Sequence, residues 1–306
     1  IKARALPPPR VLAVAYARGV LSAAAVLRLG YGIDAAAIGR PGVVVSAGGD
    51  TVLANAAVAR LAGAPNIFCG TLRRLRPEHF ALIVSSYERH ATRPRTIVTL
   101  KPNRLDPDTL ARPVAPAGPA PRPKLVGLLL GGDSGLFSYR DDEWQRLLAF
   151  ARVYALASGA RFLVSTSRRT GAHAAAAAAR LARDPAVVAR FVDYRDAGPG
   201  TLTDIIRDAD AILCSEDSST MISEAVSVRL PVVGVAPARH GFKPEEAAYR
   251  RMLEAKGWCR FLPIAALDVA SFDAALAAIV PMTANLADAL ADQIIARLPQ
   301  LMQPSP

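Results

Sequence analysis

The stretch "LCSEDSSTMISEAVSVRLPVVGV" (residues 213–235) places a dense polar segment between two apolar runs. The apolar runs have the length and composition of buried parallel strands, and the end of the polar segment has the composition of a helix. A strand-to-helix connection requires one N-cap and a turn residue, but this one carries several further hydroxyl and carboxylate groups. The stretch therefore predicts a strand, a ligand-binding loop, a helix and a second strand.

The same alternation of apolar and helical segments extends along most of the chain. Between "KLVGLLLGG" (124–132) and "PVVGVAP" (231–237), five apolar runs alternate with helical segments, as in a doubly wound sheet. A shorter series runs from "VVVSAGG" (43–49) to "TIVTL" (96–100). The predicted fold class is α/β, with two doubly wound Rossmann-like domains that face each other across a cleft.

A Pro-rich segment between the two series sets the predicted domain boundaries. Residues 1–106 form the N-terminal domain, residues 107–124 the linker and residues 125–281 the C-terminal nucleotide-binding domain. Residues 282–306 contain apolar side chains at helical spacing and are predicted to form an amphipathic helix.

Positive charge is concentrated in the first half of the chain. The net charge is +11, and residues 1–124 carry 18 Lys and Arg against 6 Asp and Glu, whereas the remainder carries 19 against 20. This asymmetry indicates an anionic partner, such as a phospholipid surface or a phosphate-bearing acceptor. The alternative is a solvated Arg-rich surface. No helix-turn-helix, zinc-finger or RNA-binding aromatic motif is present, so nucleic acid is not an expected partner.

The remaining composition excludes several classes of protein. A hydrophobic content of 52% with 21% charged residues is typical of soluble globular domains. Three dispersed cysteines and four scattered histidines lack the paired spacing of a zinc site and favour a reducing compartment. No run reaches the ~18 apolar residues of a membrane span. We expect a cytoplasmic protein, with peripheral attachment to the inner membrane as a further expectation.

Three polar loops of the second domain follow predicted strands and should share one edge of its sheet. Ligands of open parallel sheets bind at that edge, where helix N-termini present unpaired N–H groups. The first loop, "GGDSG", contains glycines that allow a phosphate to approach the backbone closely. Its alternative interpretation is an ordinary tight turn. The candidate binding residues are Gly131, Gly132, Ser134 and Gly135.

The second loop, "STSRRTG", brings two arginines to the end of a strand. Guanidinium groups bind phosphate or carboxylate through charge-assisted hydrogen bonds. Alternatively, Ser167 or Thr170 caps the following Ala-rich helix and both arginines are solvated. The candidate binding residues are Ser167, Arg168, Arg169 and Thr170.

The third loop is the polar segment quoted first. Ser218 or Ser219 suffices to cap its helix, and Glu224 in the second turn is placed to accept hydrogen bonds from sugar hydroxyls. The alternative for Glu224 is a capping-box-like carboxylate. A nucleotide or nucleotide-sugar, which contains both phosphate and sugar hydroxyl groups, suits the side chains of all three loops together. The candidate residues of this loop are Ser215, Asp217, Ser218, Ser219, Met221 and Glu224.

The order of "LLLGGDSG", "VSTSRRTG" and "SEDSSTMISEAVSVRLPVVGV" resembles the bacterial and plant family named after the plant mitochondrial fission factor of the "elongated mitochondria" type. That family is similar to glycosyltransferases with the B-type fold, including the enzyme that adds N-acetylglucosamine to the lipid-linked peptidoglycan precursor. The match is strongest over residues 125–236. Asp133 stands where the family usually has Pro, and an acidic residue there opposes a phosphate unless it points away. "SSYERH" (85–90) also departs from the family's usual segment.

The resemblance implies roles for both domains. The second domain holds a nucleoside-diphosphate sugar as substrate, with Gly131, Gly132 and Ser134 near the diphosphate and Glu224 on the ribose. The first domain binds the acceptor and is expected to lack its first strand and loop, and the helix within residues 282–306 crosses back toward it. No metal or other cofactor is expected, and the catalytic residues are unassigned. The candidate acceptor or membrane patch comprises Arg73, Arg74, Arg76, Arg89, Arg93 and Arg95.

Three functions remain open from the sequence. The leading prediction is a metal-independent glycosyltransferase that transfers the sugar to an anionic or lipid-linked acceptor. The first alternative is a non-catalytic adaptor, as the resemblance to the fission family implies. The second is a sugar-nucleotide epimerase, which fold analogy cannot separate from a transferase.

Overall fold

The structure is a computed structural model that describes residues 3, 8–110, 122–198 and 200–303, with the backbone alone at residue 201. The chain folds into two compact units, one comprising Ile1–Pro102 and Leu286–Pro306 and the other Asn103–Asn285. Most of the predicted linker, residues 111–121, lies outside the described residues.

The first unit contains a parallel four-stranded sheet in the order β1-β2-β3-β4. Its strands are β1 (Val44–Ala47), β2 (Asn66–Cys69), β3 (Leu82–Ser85) and β4 (Thr96–Val98), and its helices are α1 (Pro9–Ala17), α2 (Ala23–Tyr31), α3 (Val52–Ala62) and α11 (Leu286–Arg297).

Side-chain alternation along these strands gives the sheet two apolar faces. Phe68 and Ile83 pack with α1, α2 and α3. Ile67 and Leu82 point the other way and pack with apolar side chains of α11. The helix α11 is therefore part of the core of the first unit.

The second unit contains a parallel six-stranded sheet in the order β10-β9-β8-β5-β6-β7. Its strands are β5 (Leu125–Leu129), β6 (Arg161–Ser165), β7 (Val188–Val192), β8 (Ala211–Ser215), β9 (Val232–Ala236) and β10 (Cys259–Pro263). Its helices are α4 (Asp141–Ser158), α5 (Ala172–Leu181), α6 (Tyr194–Ala197), α7 (Thr201–Asp208), α8 (Ser219–Ser227), α9 (Pro244–Ala255) and α10 (Val269–Ala277).

This strand order creates a topological switch point between β5 and β8. The chain proceeds outward from β5 to β7, returns to β8 beside β5, and then continues in the opposite direction to β10. The loops that follow β5 and β8 diverge at this point, which is where doubly wound sheets bind ligands. The predicted α/β class with two parallel Rossmann-like sheets is confirmed, and β10 is a sixth strand that the sequence interpretation did not include.

Within the described residues, no helix has both the length and the apolar character needed to cross a lipid bilayer.

Candidate functional site

The three polar loops contact one another at one edge of the six-stranded sheet, beside the switch point. The Gly131 N–H donates to Ser215 Oγ at 2.6 Å, which joins the loops after β5 and β8. The Thr170 hydroxyl lies 2.8 Å from the Leu130 carbonyl oxygen and 2.7 Å from that of Gly131, which joins the loops after β5 and β6. These contacts are buried, so each satisfies backbone groups that water cannot reach.

Asp217 lies at the centre of the three loops. Its side chain is 0% exposed and forms an ion pair with Arg169, whose side chain is 33% exposed. Tyr139 Oη also donates to Asp217 Oδ1 at 3.0 Å. Burial raises the pKa of Tyr139 well above its ordinary value, and the Asp217 charge raises it further. The phenol therefore stays protonated as a donor to Asp217.

Two of the predicted glycines allow these loops to approach one another. A Cβ on residue 131 would lie 2.6 Å from Asp217 Cγ and closer to its oxygens. A Cβ on residue 132 would lie 2.5 Å from the Arg169 carbonyl carbon. Both glycines thus have a packing function besides any contact with a ligand. Ser134 and Gly135 lie further along, in a turn where Gly135 is exposed and adopts a left-handed φ of 59°.

A pocket of about 300 Å³ lies between the loop after β5 and the beginning of α5. Gly171 is the N-cap of α5, and no side chain in the described part of the chain caps this helix. Thr170, which the sequence allowed as a cap, instead contacts the carbonyls at the end of β5. The open helix N-terminus carries partial positive charge beside the pocket. The lining residues are Gly132, Asp133, Tyr139, Asp141, Trp144, Arg169, Gly171, Ala172, His173 and Ala174.

The two adjacent arginines of the second loop have different environments. Arg168 is exposed. Arg169 lines the pocket, and its Nε is a buried donor with no hydrogen-bond partner among the described residues. A buried donor of this kind is costly unless a ligand or water accepts its hydrogen bond. Ser167 contacts its own loop, where its backbone N–H donates to Thr170 Oγ1 at 2.8 Å.

Asp133 is directed toward the protein backbone. Its Oδ1 accepts a hydrogen bond from the Tyr139 N–H at 2.9 Å. The carboxylate thereby closes the turn that follows β5, and this explains how an acidic residue is accommodated next to the two glycines. A second acid at the pocket, Asp141, lies 3.2 Å from His173 Nδ1.

The helix α8 places Glu224 near the same edge. Ser218 caps the helix by accepting a hydrogen bond from the Met221 N–H at 3.4 Å, while Ser219 and Met221 are half-buried. The Glu224 carboxylate has no hydrogen-bond partner among the described residues, and burial raises its pKa to about 7. The capping-box alternative is therefore wrong, and this carboxylate is available for a ligand.

A buried ion pair beside β8 was not anticipated from the sequence. Arg250 of α9 donates from Nε to Glu216 Oε1 at 2.8 Å, and both residues are buried. A second carboxylate, that of Glu246, lies 3.0 Å from Arg250 Nη1. Burial raises the pKa of Glu216, and the Arg250 charge opposes this shift. The pair secures the segment that leads from β8 into Asp217.

The arginines predicted as an acceptor or membrane patch lie in the first unit, in several environments. The Arg73 guanidinium covers Gly49 so closely that a Cβ there would overlap it. Arg95 Nη1 donates to the Phe80 carbonyl at 2.9 Å, and Arg93 is half-buried. All members of the set except Arg93 are exposed, namely Arg73, Arg74, Arg76, Arg89 and Arg95.

No group of three His, Cys, Asp or Glu side chains in the described ranges is arranged to hold a metal ion. Independence from metals and cofactors stays a prediction.

The family of this chain follows from a comparison of its whole length. The mitochondrial fission ELM1 family matches residues 3–298. The chain belongs to the mitochondrial fission ELM1 family. The resemblance found in the sequence is thereby confirmed, and the switch-point site lies in the part of this ELM1-family chain that carries it. No curated protein matches the sequence.

Several solved structures are similar to this ELM1-family protein. MurG of Acinetobacter baumannii is 14% identical, with a TM-score of 0.44 over 83% of this chain and 73% of its own. The calicheamicin glycosyltransferase CalG4 is 15% identical, with a TM-score of 0.45 over 98% of this chain and 83% of its own. A putative UDP-N-acetylglucosamine 2-epimerase from Listeria monocytogenes is 12% identical, with a TM-score of 0.47 over 87% and 75%. The sheet topology, rather than these likenesses, carries the fold assignment.

Proposed function

We propose that this ELM1-family protein binds a nucleoside-diphosphate sugar at the switch point of its six-stranded sheet and transfers the sugar to an anionic or lipid-linked acceptor. The observation that carries the proposal is the pocket at the uncapped N-terminus of α5, lined by Arg169 with its unpartnered Nε. A helix N-terminus and a guanidinium group together suit a phosphate group.

The remaining features support a ligand that contains both phosphate and sugar. Gly132 brings backbone to the wall of the pocket without a side chain. The half-buried Glu224 carboxylate lacks a partner among the described residues and suits ribose hydroxyls, which donate hydrogen bonds to carboxylates. Asp217 and Tyr139 position this site through buried contacts. Asp217 forms an ion pair with Arg169, and Tyr139 donates a hydrogen bond to Asp217.

Transfer would break the bond between the sugar's anomeric carbon and the β-phosphate oxygen and form a bond to an acceptor hydroxyl oxygen. The developing negative charge on the diphosphate would be stabilised by Arg169 and the α5 N-terminus. The acceptor proton would pass to a base that is not yet assigned. No metal is required in this scheme, since the positive charge comes from the protein.

A thermal-shift screen tests the donor site directly. The melting temperature of the wild type is measured without ligand and with UDP, GDP, CDP, TDP and their sugars. The same measurements are made on the variants Arg169→Gln, Arg168→Gln and Glu224→Gln. A ligand at a hundredfold excess over its dissociation constant stabilises the fold by about 2.7 kcal/mol. We expect one nucleotide series to raise the melting temperature of the wild type and of Arg168→Gln, but not of Arg169→Gln. Glu224→Gln should weaken the effect, since the amide accepts ribose hydroxyls less well.

The results also separate the alternatives. If the protein converts the bound nucleotide-sugar into its epimer without an acceptor, its function is that of an epimerase and not of a transferase. The absence of any shift with all of these ligands would overturn the donor site and favour the adaptor function that membership of the fission family suggests.

A further inference from the structure

The first two helices of the chain, with the turn between them, carry both exposed arginines and exposed aliphatic side chains. Val11 is 54% exposed, Val20 74% and Leu29 40%. Each lies one or two residues after an exposed arginine, namely Arg10, Arg18 and Arg28 respectively.

The opposite faces of the same helices are packed into the core of the first unit. Leu12 and Tyr16 of α1, and Val26 and Leu27 of α2, are buried in one apolar cluster with α3. The exposed aliphatic side chains are therefore not needed for the folding of the two helices. Each of them leaves a substantial part of its apolar surface in contact with water.

The charge of this segment has a single sign. Residues 1–33 contain five Lys or Arg and no Asp or Glu, and the first acidic residue is Asp34. Within the described part of the chain, none of the Arg10, Arg18 and Arg28 guanidinium groups has a hydrogen-bond or ion-pair partner. The segment thus complements an anionic surface, and it contains no acidic residue that could neutralise its arginines.

We propose that α1, α2 and the turn between them, residues 9–31, dock this protein on an anionic lipid surface. The arginines contact lipid phosphates, and Val11, Val20 and Leu29 enter the boundary between headgroups and acyl chains. Helices that lie on membranes combine basic residues with exposed aliphatic side chains in this way.

A second copy of the chain fits this surface less well. A symmetric contact between two such surfaces would bring like-charged arginines together, which is unfavourable. Burial of single aliphatic side chains in a fluid lipid boundary does not require a complementary protein shape. This inference is independent of the donor site, so the two proposals can fail separately.

Vesicle co-sedimentation of the full chain tests the docking surface. The vesicles consist of phosphatidylcholine alone or of a mixture with about one third phosphatidylglycerol, which supplies the negative surface potential. We expect binding to the anionic vesicles only, with affinity that falls as salt rises from about 0.1 to about 0.5 M because ions screen the surface charge. Equal binding to neutral vesicles, or no binding at all, would overturn the proposal.

Two sets of variants locate the surface. Arg10→Glu/Arg18→Glu/Arg28→Glu should weaken binding by roughly a hundredfold or more, since each arginine near an anionic membrane contributes about fivefold. Val11→Ser/Val20→Ser/Leu29→Ser should weaken it by about tenfold or more. All changes are on exposed positions, and unchanged melting temperatures would confirm that the variants are folded.

Each set has a matched control elsewhere on the molecule. Arg161→Glu/Arg183→Glu/Arg251→Glu makes the same change of charge at three exposed arginines of the second unit. Val153→Ser/Leu156→Ser removes aliphatic side chains of α4 that are 54% and 73% exposed. Both controls should bind vesicles like the wild type. If the first control loses binding and the helix variants keep it, or if the wild type forms a dimer that the helix variants abolish, docking through residues 9–31 is wrong.

Discussion

The carboxylate of Asp217 lies directly against the Cα of Gly131, in the space that a side chain on residue 131 would occupy. These residues belong to loops that follow β8 and β5, the two strands on either side of the switch point. The same carboxylate holds Arg169 and Tyr139. The geometry of the proposed phosphate site therefore depends on the absence of a single methyl group.

Gly131→Ala should destabilise the second unit by about 1–3 kcal/mol, because the new Cβ overlaps a buried charged group whose partners fix its position. It should also abolish any nucleotide-induced thermal shift, since displacement of Asp217 moves Arg169. Urea unfolding and the thermal-shift screen measure the two effects.

The matched control for this prediction is Gly171→Ala. A Cβ at residue 171 meets nothing within 4 Å and the backbone φ of −60° suits alanine. Its free energy of unfolding should be unchanged or higher by less than about 1 kcal/mol. Similar losses of unfolding free energy in both variants would show that the overlap at residue 131 is absent.

Asp217→Asn should cost about 1–3 kcal/mol of stability and loosen Arg169. The side chain of Asp217 is fully buried, but that of Arg169 is one third exposed, so water compensates part of the loss. The comparison is Asp204→Asn, which removes an ion pair with Arg207 in which both side chains are more than half exposed. That substitution should change the free energy of unfolding by less than about 0.5 kcal/mol. Equal effects of the two substitutions in urea unfolding would contradict the central role of Asp217.

Arg250→Met should destabilise the protein by about 3–5 kcal/mol at neutral pH, because it leaves Glu216 buried without its counter-charge. Burial already raises the pKa of Glu216, and loss of Arg250 raises it further. A protonated Glu216 needs no counter-charge, so the destabilisation should be smaller at about pH 5 than at about pH 8.

The double variant Glu216→Gln/Arg250→Met provides the check on this explanation. It should recover part of the lost stability and remove the pH dependence, as followed by urea unfolding at both pH values. A destabilisation by Arg250→Met that is independent of pH would attribute the loss to packing against Phe242 instead.

Glu224 should make the stability of the wild type fall as pH rises. Its pKa is about 7 in the folded chain against an ordinary value of 4.5, so between these values the folded state binds the proton more tightly than the unfolded state does. Relative to Glu224→Gln, the wild type should lose on the order of 1–2 kcal/mol across this window, since the half-buried carboxyl keeps partial contact with water. If the free energies of unfolding of the two proteins, measured in urea, vary with pH in parallel, the raised pKa of Glu224 is disproved.

Much of the second unit is predictable because its strands are short, continuous apolar runs. The strands β5, β8 and β9 consist almost entirely of buried side chains, and such runs stand out from the amphipathic helices between them. The strand β10 escapes this pattern because Arg260 and Pro263 interrupt its apolar residues. The assembly of the three polar loops follows from the rule that the carboxyl ends of parallel strands share one edge.

The roles of individual side chains within those loops are less predictable. Thr170 has the chemistry of a helix cap, yet its hydroxyl lies against the carbonyls at the end of β5. Tyr139 and Arg250 were not anticipated, since their partners Asp217 and Glu216 lie 78 and 34 residues away. Only the completed sheet brings such distant groups within hydrogen-bond distance.

The amino-acid sequence by itself determined the class of the fold, the edge of the sheet where polar loops gather, and the family, because these depend on local periodicity and on ordered motifs. The tertiary structure decided which polar groups have partners within the protein and which do not. Asp217 is enclosed by Arg169 and Tyr139, whereas the Arg169 Nε and the Glu224 carboxylate have no partner in the described residues. That division arises from burial and from contacts between remote segments, and these exist only once the chain has folded.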